Sequence, residues 1–467
     1  MPTFERVSTY QFPRAEVYAW HLRPGSMERL TPPGMLIALR RSTPGIAAGT
    51  ELLLRLSYPL ATALLPVLPG GRRAPIGVNW LLRYPEVITG ERFVDEQVSG
   101  PFRRWRHEHH FADGPEGSTV LTDRIEWELP AALRPAQSAV AGQLAALFSF
   151  RERQLRADLS LHDRLTAAPR TVVLTGASGL VGPQVQALLT TGGHRVIQLV
   201  RRASAAPDTQ RWDPASGQAP LPALESADVA INLSGHSIGG RFSSANKQAI
   251  LLSRLAASAT LARGLATAAP SATLVQASAI GYYGARRPGE LLTEESAVGH
   301  GFLAEVVRAW EAAARPAADA GLRTAFLRTG IVLSGGGGAL PPQLPLFAAG
   351  VGGRLAAADA WLSWVTLDDL ARAYVHAALS PVVEGPINVV SPQPVTNQGF
   401  ATTLGQVVRR PAALPTPALG PRTLLGAEGY DQLINTDQRV SADRLAAGGY
   451  SWTHPELAAG LRHVLLR

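Results

Sequence analysis

The amino-acid sequence predicts an α/β protein: a doubly wound parallel sheet with a small helical C-terminal extension, preceded by an α+β unit. Three observations carry this. Short apolar runs alternate with helical or loop segments over the last three-fifths of the chain. A glycine-rich turn joins the first of those runs to an apolar helix. The first 166 residues instead read as separated strands closed by one long helix. A chain of 467 residues suits two or three domains, each able to bury its own core, and we expect them at residues 1–166, 170–410 and 411–467.

The first unit rests on four strand-like pieces, Glu51–Tyr58, Glu91–Val98, Arg103–Phe111 and Thr119–Leu129, separated by glycine and proline turns. After them Ala139–Leu165 carries Leu144, Leu147, Phe148, Leu155 and Leu159 at helical spacing, so one amphipathic helix closes the unit. A seam follows at Ala167, Ala168 and Pro169. His107, His109 and His110 cluster in the third strand, and alternation puts His107 and His109 on one side. No third ligand is identifiable, and with Arg103, Arg104, Trp105 and Arg106 they read as a polar strand face, so no metal is expected. The apolar run Tyr58–Pro69 contains three prolines and is too short to cross a bilayer.

In the second segment, apolar runs at Thr171–Thr175, Arg195–Val200, Val229–Leu233, Leu274–Ala277, Ala325–Leu333 and Ile387–Val390 have helical or loop material between them. This is the pattern of a parallel sheet covered on both faces. Beyond about Arg410 the chain turns Pro-, Ala- and Leu-rich and reads as a small helical extension.

Composition narrows the chemistry. The chain has no cysteine, which excludes disulfides, thiolate catalysis, cysteine-based zinc sites and iron–sulfur clusters. Of its 44 basic residues only Lys247 is a lysine; against 36 acidic residues the net charge is +8. The basic residues are scattered, and the arginine excess alongside abundant Ala, Gly and Pro has the look of a coding bias, so no nucleic-acid partner is expected. Met1–Phe12 includes Glu5 and Arg6 and no apolar signal core; we expect cytoplasmic placement and no membrane span.

The strongest motif runs from Thr175 through Gly176, Ala177, Ser178, Gly179, Leu180 and Val181 to Gly182, after the apolar strand Val172–Leu174 and before a helix carrying Val185, Leu188 and Leu189. Glycines there let the chain turn tightly and bring backbone N–H groups against a pyrophosphate, and the helix N-terminus adds favourable dipole charge. The motif therefore predicts a nicotinamide dinucleotide. A ribose-binding carboxylate is expected roughly 20 residues further on, but Arg201 and Arg202 occupy that place. Guanidinium groups pair with a 2′-phosphate, so NADP is favoured over NAD.

At this point the sequence resembles the extended short-chain dehydrogenase/reductase superfamily, in particular its atypical branch of NAD-dependent epimerase-like proteins. The resemblance is carried by TGASGLVG from Thr175, NLSG from Asn232, SAIGYYG from Ser278, LRTGIVLS from Leu327, WLSWVTLDDLARA from Trp361, GPINVVSPQPVTN from Gly385 and the Arg-Pro element at Arg410. It implies a Rossmann fold with a small C-terminal domain and an oxidoreductase or epimerase activity on an unknown small-molecule substrate. It also implies cofactor binding by Gly176, Ser178, Gly179, Leu180, Val181 and Gly182, with a third-strand contact through Asn232, Leu233, Ser234 and Gly235. Residues 1–166 resemble the START-like (SRPBCC) helix-grip superfamily, through LTPPG from Leu30, GPFRRWRHEHHF from Gly100, DRIEWELP from Asp123 and the closing helix. That implies a curved antiparallel sheet wrapped on a long helix, with an apolar cavity for a hydrophobic ligand.

Catalysis departs from the superfamily's pattern. A standard member uses a Tyr made acidic by a Lys four residues on. Four residues before Lys247 stands Ser243, and the matching place after Ser278 reads Gly301-Phe302-Leu303-Ala304-Glu305, so both members of the pair are missing. Ser278 matches the family serine at the end of the fourth strand; with Tyr282 and Tyr283 it forms the candidate catalytic set, and Glu305, Arg308 and Asp368 are candidate assistants.

Two other functions remain open. Without the Tyr/Lys pair, the protein would be a cofactor-bound sensor or scaffold. Alternatively, Gly235-His236-Ser237-Ile238-Gly239 satisfies the nucleophile-elbow pattern of a serine hydrolase, with Asp368 or Asp369 and then His376 or His463 in the required order. Gly335–Gly338 reads as a flexible loop without the lysine of a phosphate-binding P-loop.

Overall fold

The computed structural model describes residues 1–41, 45–57, 77–165 and 168–467; the run Tyr58–Pro69 and the seam residue Ala167 lie outside them. The chain opens with strand β1 (Thr3–Tyr10), helices α1 (Arg14–Leu22) and α2 (Ser26–Leu30), and strands β2 (Leu36–Arg41) and β3 (Glu51–Ser57). Strands β4 (Gly77–Ile88), β5 (Arg92–Ser99), β6 (Arg104–Asp113) and β7 (Thr119–Glu128) follow, and helix α3 (Gln137–Leu165) ends this part. The seven strands form one antiparallel sheet in the order β1-β7-β6-β5-β4-β3-β2. Sequence reading found β3, β5, β6, β7 and α3 but not β1, β2 and β4, which carry charged or prolyl residues among their apolar ones.

Alternation is strict in β6. Trp105, His107, His109 and Phe111 are buried on the inner face, while Arg104 and His110 are exposed. The polar strand face read from the sequence is therefore corrected: the two histidines point into the sheet's core with Trp105, away from the arginines. Leu144, Phe148, Leu155 and Leu159 of α3 cover that core. The helix is buried on a second side too, where Gln154 and Asp158 are fully enclosed and Leu161 joins the core of the following sheet.

The second part contains β8 (Thr171–Thr175), α4 (Gly182–Thr191), β9 (Arg195–Val200), β10 (Thr209–Arg211), α5 (Leu221–Leu224), β11 (Val229–Asn232), α6 (Ser244–Ala268) and β12 (Thr273–Ala279). It continues through β13 (Arg286–Leu292), α7 (Phe302–Asp319), β14 (Thr324–Thr329), β15 (Ile331–Leu333), α8 (Leu344–Ala348), β16 (Trp361–Leu362), β17 (Trp364–Thr366), α9 (Leu367–Leu379) and β18 (Gly385–Val389). The last elements are β19 (Val395–Thr396), α10 (Asn397–Val408), α11 (Leu419–Leu433), β20 (Asp437–Val440), α12 (Asp443–Ala447) and α13 (Leu457–Leu465).

A seven-stranded parallel sheet runs β10-β9-β8-β11-β12-β14-β18, the doubly wound Rossmann order with its reversal between β8 and β11. Burial on both faces explains the continuous apolar strands: Val172 and Leu174 of β8 pack with α4 and α9, while Val173 between them packs with α6. Helix α6 is long and apolar enough by composition to cross a membrane; Ala257, Leu261 and Leu265 set it against the sheet.

One sequence expectation needs correction. The expected strand Ala325–Leu333 is two strands, broken at Gly330, where an added Cβ would sit 2.7 Å from Val390 Cγ1 and 2.8 Å from the Ser363 carbonyl oxygen. The C-terminal extension is helical as expected and adds one short strand, β20, which pairs in parallel with β13. Gln438 of β20 also donates to the carbonyls of Ile280 (2.9 Å) and Gly284 (2.6 Å), tying the extension to the turn after β12.

The two sheets meet through buried charge. Arg29 of α2, with no exposed surface, donates to both Asp158 oxygens at 2.7 and 2.8 Å, to Asp368 Oδ1 at 3.1 Å and to Gln184 Oε1 at 2.8 Å. Arg372 of α9 reaches the same Asp158 Oδ1 at 3.1 Å and Gln154 Oε1 at 2.9 Å. Burial alone would favour a neutral Asp158, but the Arg29 and Arg372 guanidiniums hold it below the usual carboxylate range.

Candidate functional site

The glycine loop closes the carboxyl end of β8. Gly176 has φ +72°, and a Cβ there would lie 2.6 Å from the Leu233 carbonyl carbon, so the loop crosses directly against the segment after β11. A Cβ on Gly182 would lie 2.5 Å from the Gly176 carbonyl oxygen, which lets α4 start immediately against the turn. Gly179 donates its N–H to the Gly176 carbonyl at 3.0 Å. Ser178 and Gly179 are exposed, Leu180 and Val181 half-buried, so the outer lip of the turn is open at the N-terminus of α4. This cradle fits a pyrophosphate. Arg201 and Arg202 follow β9, the neighbour of β8; both are exposed and, among the described residues, neither forms an ion pair.

Asn232 is buried completely and its polar atoms are spent inside the fold. Its Oδ1 accepts from Thr175 Oγ1 at 2.6 Å and Ser234 N at 3.1 Å, and its Nδ2 donates to Ser258 Oγ and Gln276 Oε1. It is thus a clamp across β8, β11 and β12 that fixes the glycine loop's floor. Leu233 and Ser234 are half-buried beside the loop, and Gly235 is exposed, with Arg254 Cζ 3.0 Å from where a Cβ would stand. Because the short β10 intervenes, this segment follows the fourth strand of the sheet, and Ser278 ends the fifth.

Parallel register sets Ser278 of β12, Arg328 of β14 and Asn388 of β18 side by side. Ser278 Oγ donates to Glu311 Oε1 of α7 at 2.6 Å, and Arg328 donates to both oxygens of that carboxylate at 2.9 Å. The guanidinium also lies 3.6 Å from the Tyr282 ring centroid. Against the effect of burial, Glu311 raises the Arg328 pKa above the usual arginine range.

Tyr283 Oη, fully buried, donates to Asn388 Oδ1 at 2.7 Å and accepts from Arg328 at 3.1 Å. Burial pushes its hydroxyl up to about 12. The hydroxyl is occupied in holding Arg328 and Asn388. Sequence reading missed Glu311, Arg328 and Asn388; the one signal was an arginine and an asparagine inside otherwise apolar strands.

The candidate assistants do not join this cluster. Glu305 and Arg308 are exposed on α7. Asp368 is buried in the junction between the sheets, where its Oδ2 meets His463 Nε2 at 2.9 Å and its Oδ1 accepts from Gln154 at 2.7 Å. Lys247 pairs with Glu428 at 2.8 Å over the Phe302 ring.

The serine-hydrolase constellation is not assembled. Ser237 lies in an exposed loop with its Oγ accepting from Gly239 N, Asp369 binds the N–H groups of Thr453 and His454, and His376 meets the Gly448 carbonyl.

The run Gly335–Gly338 is a packing requirement. A Cβ on Gly336 would lie 2.6 Å from Gly34 N, and one on Gly337 3.1 Å from Leu180 Cδ1. The Pro33-Gly34 turn of the first part therefore touches the loop that touches the glycine loop.

A model of the NAD dependent epimerase/dehydratase family matches residues 172–390, and a domain of unknown function, DUF1731, matches residues 416–464. An epimerase family protein of Mycobacterium bovis is 37% identical over 301 residues, 64% of this chain and 99% of the relative. One of Bos taurus is 33% identical over 299 residues, 63% of this chain and 99% of the relative. The nucleoside-diphosphate sugar epimerase of Corynebacterium glutamicum is similar in structure over 99% of this chain and 90% of that one, with 33% identity and a TM-score of 0.77. Human epimerase family protein SDR39U1, solved with NADPH, is similar over 63% of this chain and 98% of that chain, with 30% identity and a TM-score of 0.57.

Proposed function

Because this chain belongs to the NAD dependent epimerase/dehydratase family, we propose that it is an NADP(H)-dependent oxidoreductase or epimerase whose chemistry lies at the carboxyl ends of β8, β11, β12 and β14. The observation that carries this is the Ser278–Glu311–Arg328 cluster, whose Ser278 and Arg328 stand in the sheet whose first strand leads into the open glycine loop. NADP is preferred because Arg201 and Arg202, at the end of the strand next to β8, are exposed and, among the described residues, form no ion pair; the human relative's NADPH supports the choice. When bound, the nicotinamide supplies a hydride acceptor or donor.

The chain's own residues handle the proton. A substrate alcohol gives its proton to Ser278 Oγ, which passes its own to Glu311 at 2.6 Å; reduction of a carbonyl runs the relay backwards. Arg328 holds Glu311 in place through two hydrogen bonds. Tyr282, Tyr283 and Asn388 position Arg328, so in this reading the two tyrosines support Ser278 and do not replace it. Since the Corynebacterium glutamicum relative is a nucleoside-diphosphate sugar epimerase, nucleotide sugars are the first substrates to test.

We assign residues 1–166 to a START-like helix-grip domain, 170–410 to the dinucleotide-binding domain and 411–467 to a small domain completing it, in a cytoplasmic protein. The antiparallel sheet covered by α3 supports the first assignment. One cavity between sheet and helix, lined by Tyr10, His21, His109, Asp123, Phe148 and Arg151 among others, holds about 20 Å³, room for one water, so a hydrophobic ligand seated there would have to displace core side chains.

The test is fluorescence titration with NADPH and NADH. Arg201→Asp with Arg202→Asp should weaken NADPH by about 1–3 kcal/mol per lost charge-assisted contact and leave NADH nearly unchanged. Equal losses would refute the 2′-phosphate role. Tight NADPH binding with no turnover of any nucleotide sugar or carbonyl compound would favour the sensor reading, which the missing Tyr/Lys pair motivates.

A further inference from the structure

We propose that Asp95, His107 and His109 form a binding site for a divalent transition-metal ion of the zinc class inside the N-terminal antiparallel sheet. Register brings the donors together: Asp95 of β5 stands opposite His107 of β6, and His109 opposite Asp123 of β7, with all four side chains on the covered face. Asp95 Oδ2 lies 3.3 Å from His107 Nδ1 and 3.4 Å from His109 Nε2, and one donor atom from each of the three lies within 4.8 Å of the others. A tetrahedral ion with bonds of about 2.0–2.1 Å separates its ligand atoms by roughly 3.3–3.4 Å. The two contacts have that edge length.

The surrounding groups suit a metal as well. Each imidazole turns its other nitrogen to a second carboxylate: Asp123 Oδ1 is 3.0 Å from His107 Nε2 and 2.8 Å from His109 Nδ1. Trp105 Nε1 donates to the remaining oxygen of Asp95 at 3.0 Å. A carboxylate behind each ligating histidine and a donor on the ligating carboxylate are what orient first-sphere ligands in metalloproteins.

The competing arrangement is a metal-free box of two aspartates and two protonated histidines, with Arg151 contributing one further positive charge to it. One feature counts against it: the imidazole rings are 3.8 Å apart between centroids, where two imidazolium charges would repel. Two imidazoles and one carboxylate favour a borderline ion over magnesium or calcium, which ask for oxygen donors.

The experiment uses the full-length protein, treated with a chelator and titrated with Co²⁺, then with Zn²⁺. One Co²⁺ per chain with the intense visible absorption of a tetrahedral ion, displaced by Zn²⁺, is expected. Affinity should fall at least 100-fold in His107→Asn and 10- to 100-fold in Asp123→Asn, and stay unchanged in His110→Ala, whose ring is exposed on the other face. Circular dichroism checks that each variant is folded. Should the core variants unfold, X-ray absorption on the wild-type complex decides, with two imidazoles and one carboxylate expected. A wild type that takes up no stoichiometric Co²⁺, a His107→Asn protein that binds it as well as wild type, or a different ligand count would overturn the site.

Discussion

Ser278 on β12 donates its hydroxyl to Glu311 on α7 at 2.6 Å, in a sheet whose family otherwise suggests a tyrosine and a lysine for the same task. Arg328 clamps that carboxylate with two bonds, one to the oxygen that accepts from Ser278 and one to the other oxygen. If this pair moves the substrate's proton, Glu311→Gln should keep NADPH affinity within about twofold and lower turnover by roughly 10²–10⁴, the range for a lost general acid–base group. Ser278→Ala should behave alike. Steady-state kinetics beside cofactor titration reads both, and unchanged turnover in either variant would remove the relay.

The glycine loop separates folding from binding. Gly176→Ala places a Cβ 2.6 Å from Leu233 backbone at φ +72°, so it should cost at least about 1–2 kcal/mol and lower the melting temperature. Gly179→Ala meets only the Gly176 carbonyl at 3.3 Å and should keep nearly wild-type stability while weakening NADPH, because the added methyl stands where phosphate approaches backbone. Calorimetry with and without NADPH distinguishes the two.

The junction between the sheets should be stiff. Arg29→Met leaves Asp158 and Asp368 short of a buried counter-charge, and breaking such a network typically costs about 3–5 kcal/mol. Chemical denaturation should show that loss; a variant as stable as the wild type would mean that Arg372 compensates by itself.

Acid should weaken the fold before its carboxylates titrate. Burial lowers His162 and His463 to about 4, although Asp158 and Asp368, respectively, act the other way. Unfolded, each binds a proton near pH 6.5, so between about pH 6.5 and 4 the unfolded state holds more protons and stability falls as pH drops, by up to about 1.4 kcal/mol per pH unit per histidine. Melting curves from pH 7.5 to 4.5 check this, and a flat profile would contradict it.

Local chemistry was legible in the sequence. Val172, Val173 and Leu174 are apolar in succession because the strand is covered on both faces, and Gly176 and Gly182 stand where backbone meets backbone. Ser278 was recognisable because its motif is continuous in the chain. Glu311, Arg328 and Asn388 were not, because they lie 33, 17 and 105 residues from their hydrogen-bond partners Ser278, Glu311 and Tyr283.

By itself, then, the sequence determined the doubly wound sheet, the glycine cradle, the arginines beside it and the absence of a Tyr/Lys pair, all of them properties of periodicity or of neighbouring residues. Only the tertiary structure decided which carboxylate Ser278 bonds, that Tyr283 is held by Arg328 and Asn388, and that His107 and His109 face Asp95 and Asp123. Those relations come from strand register and from which side of each element turns toward its neighbour, and a one-residue shift in either would have paired different groups.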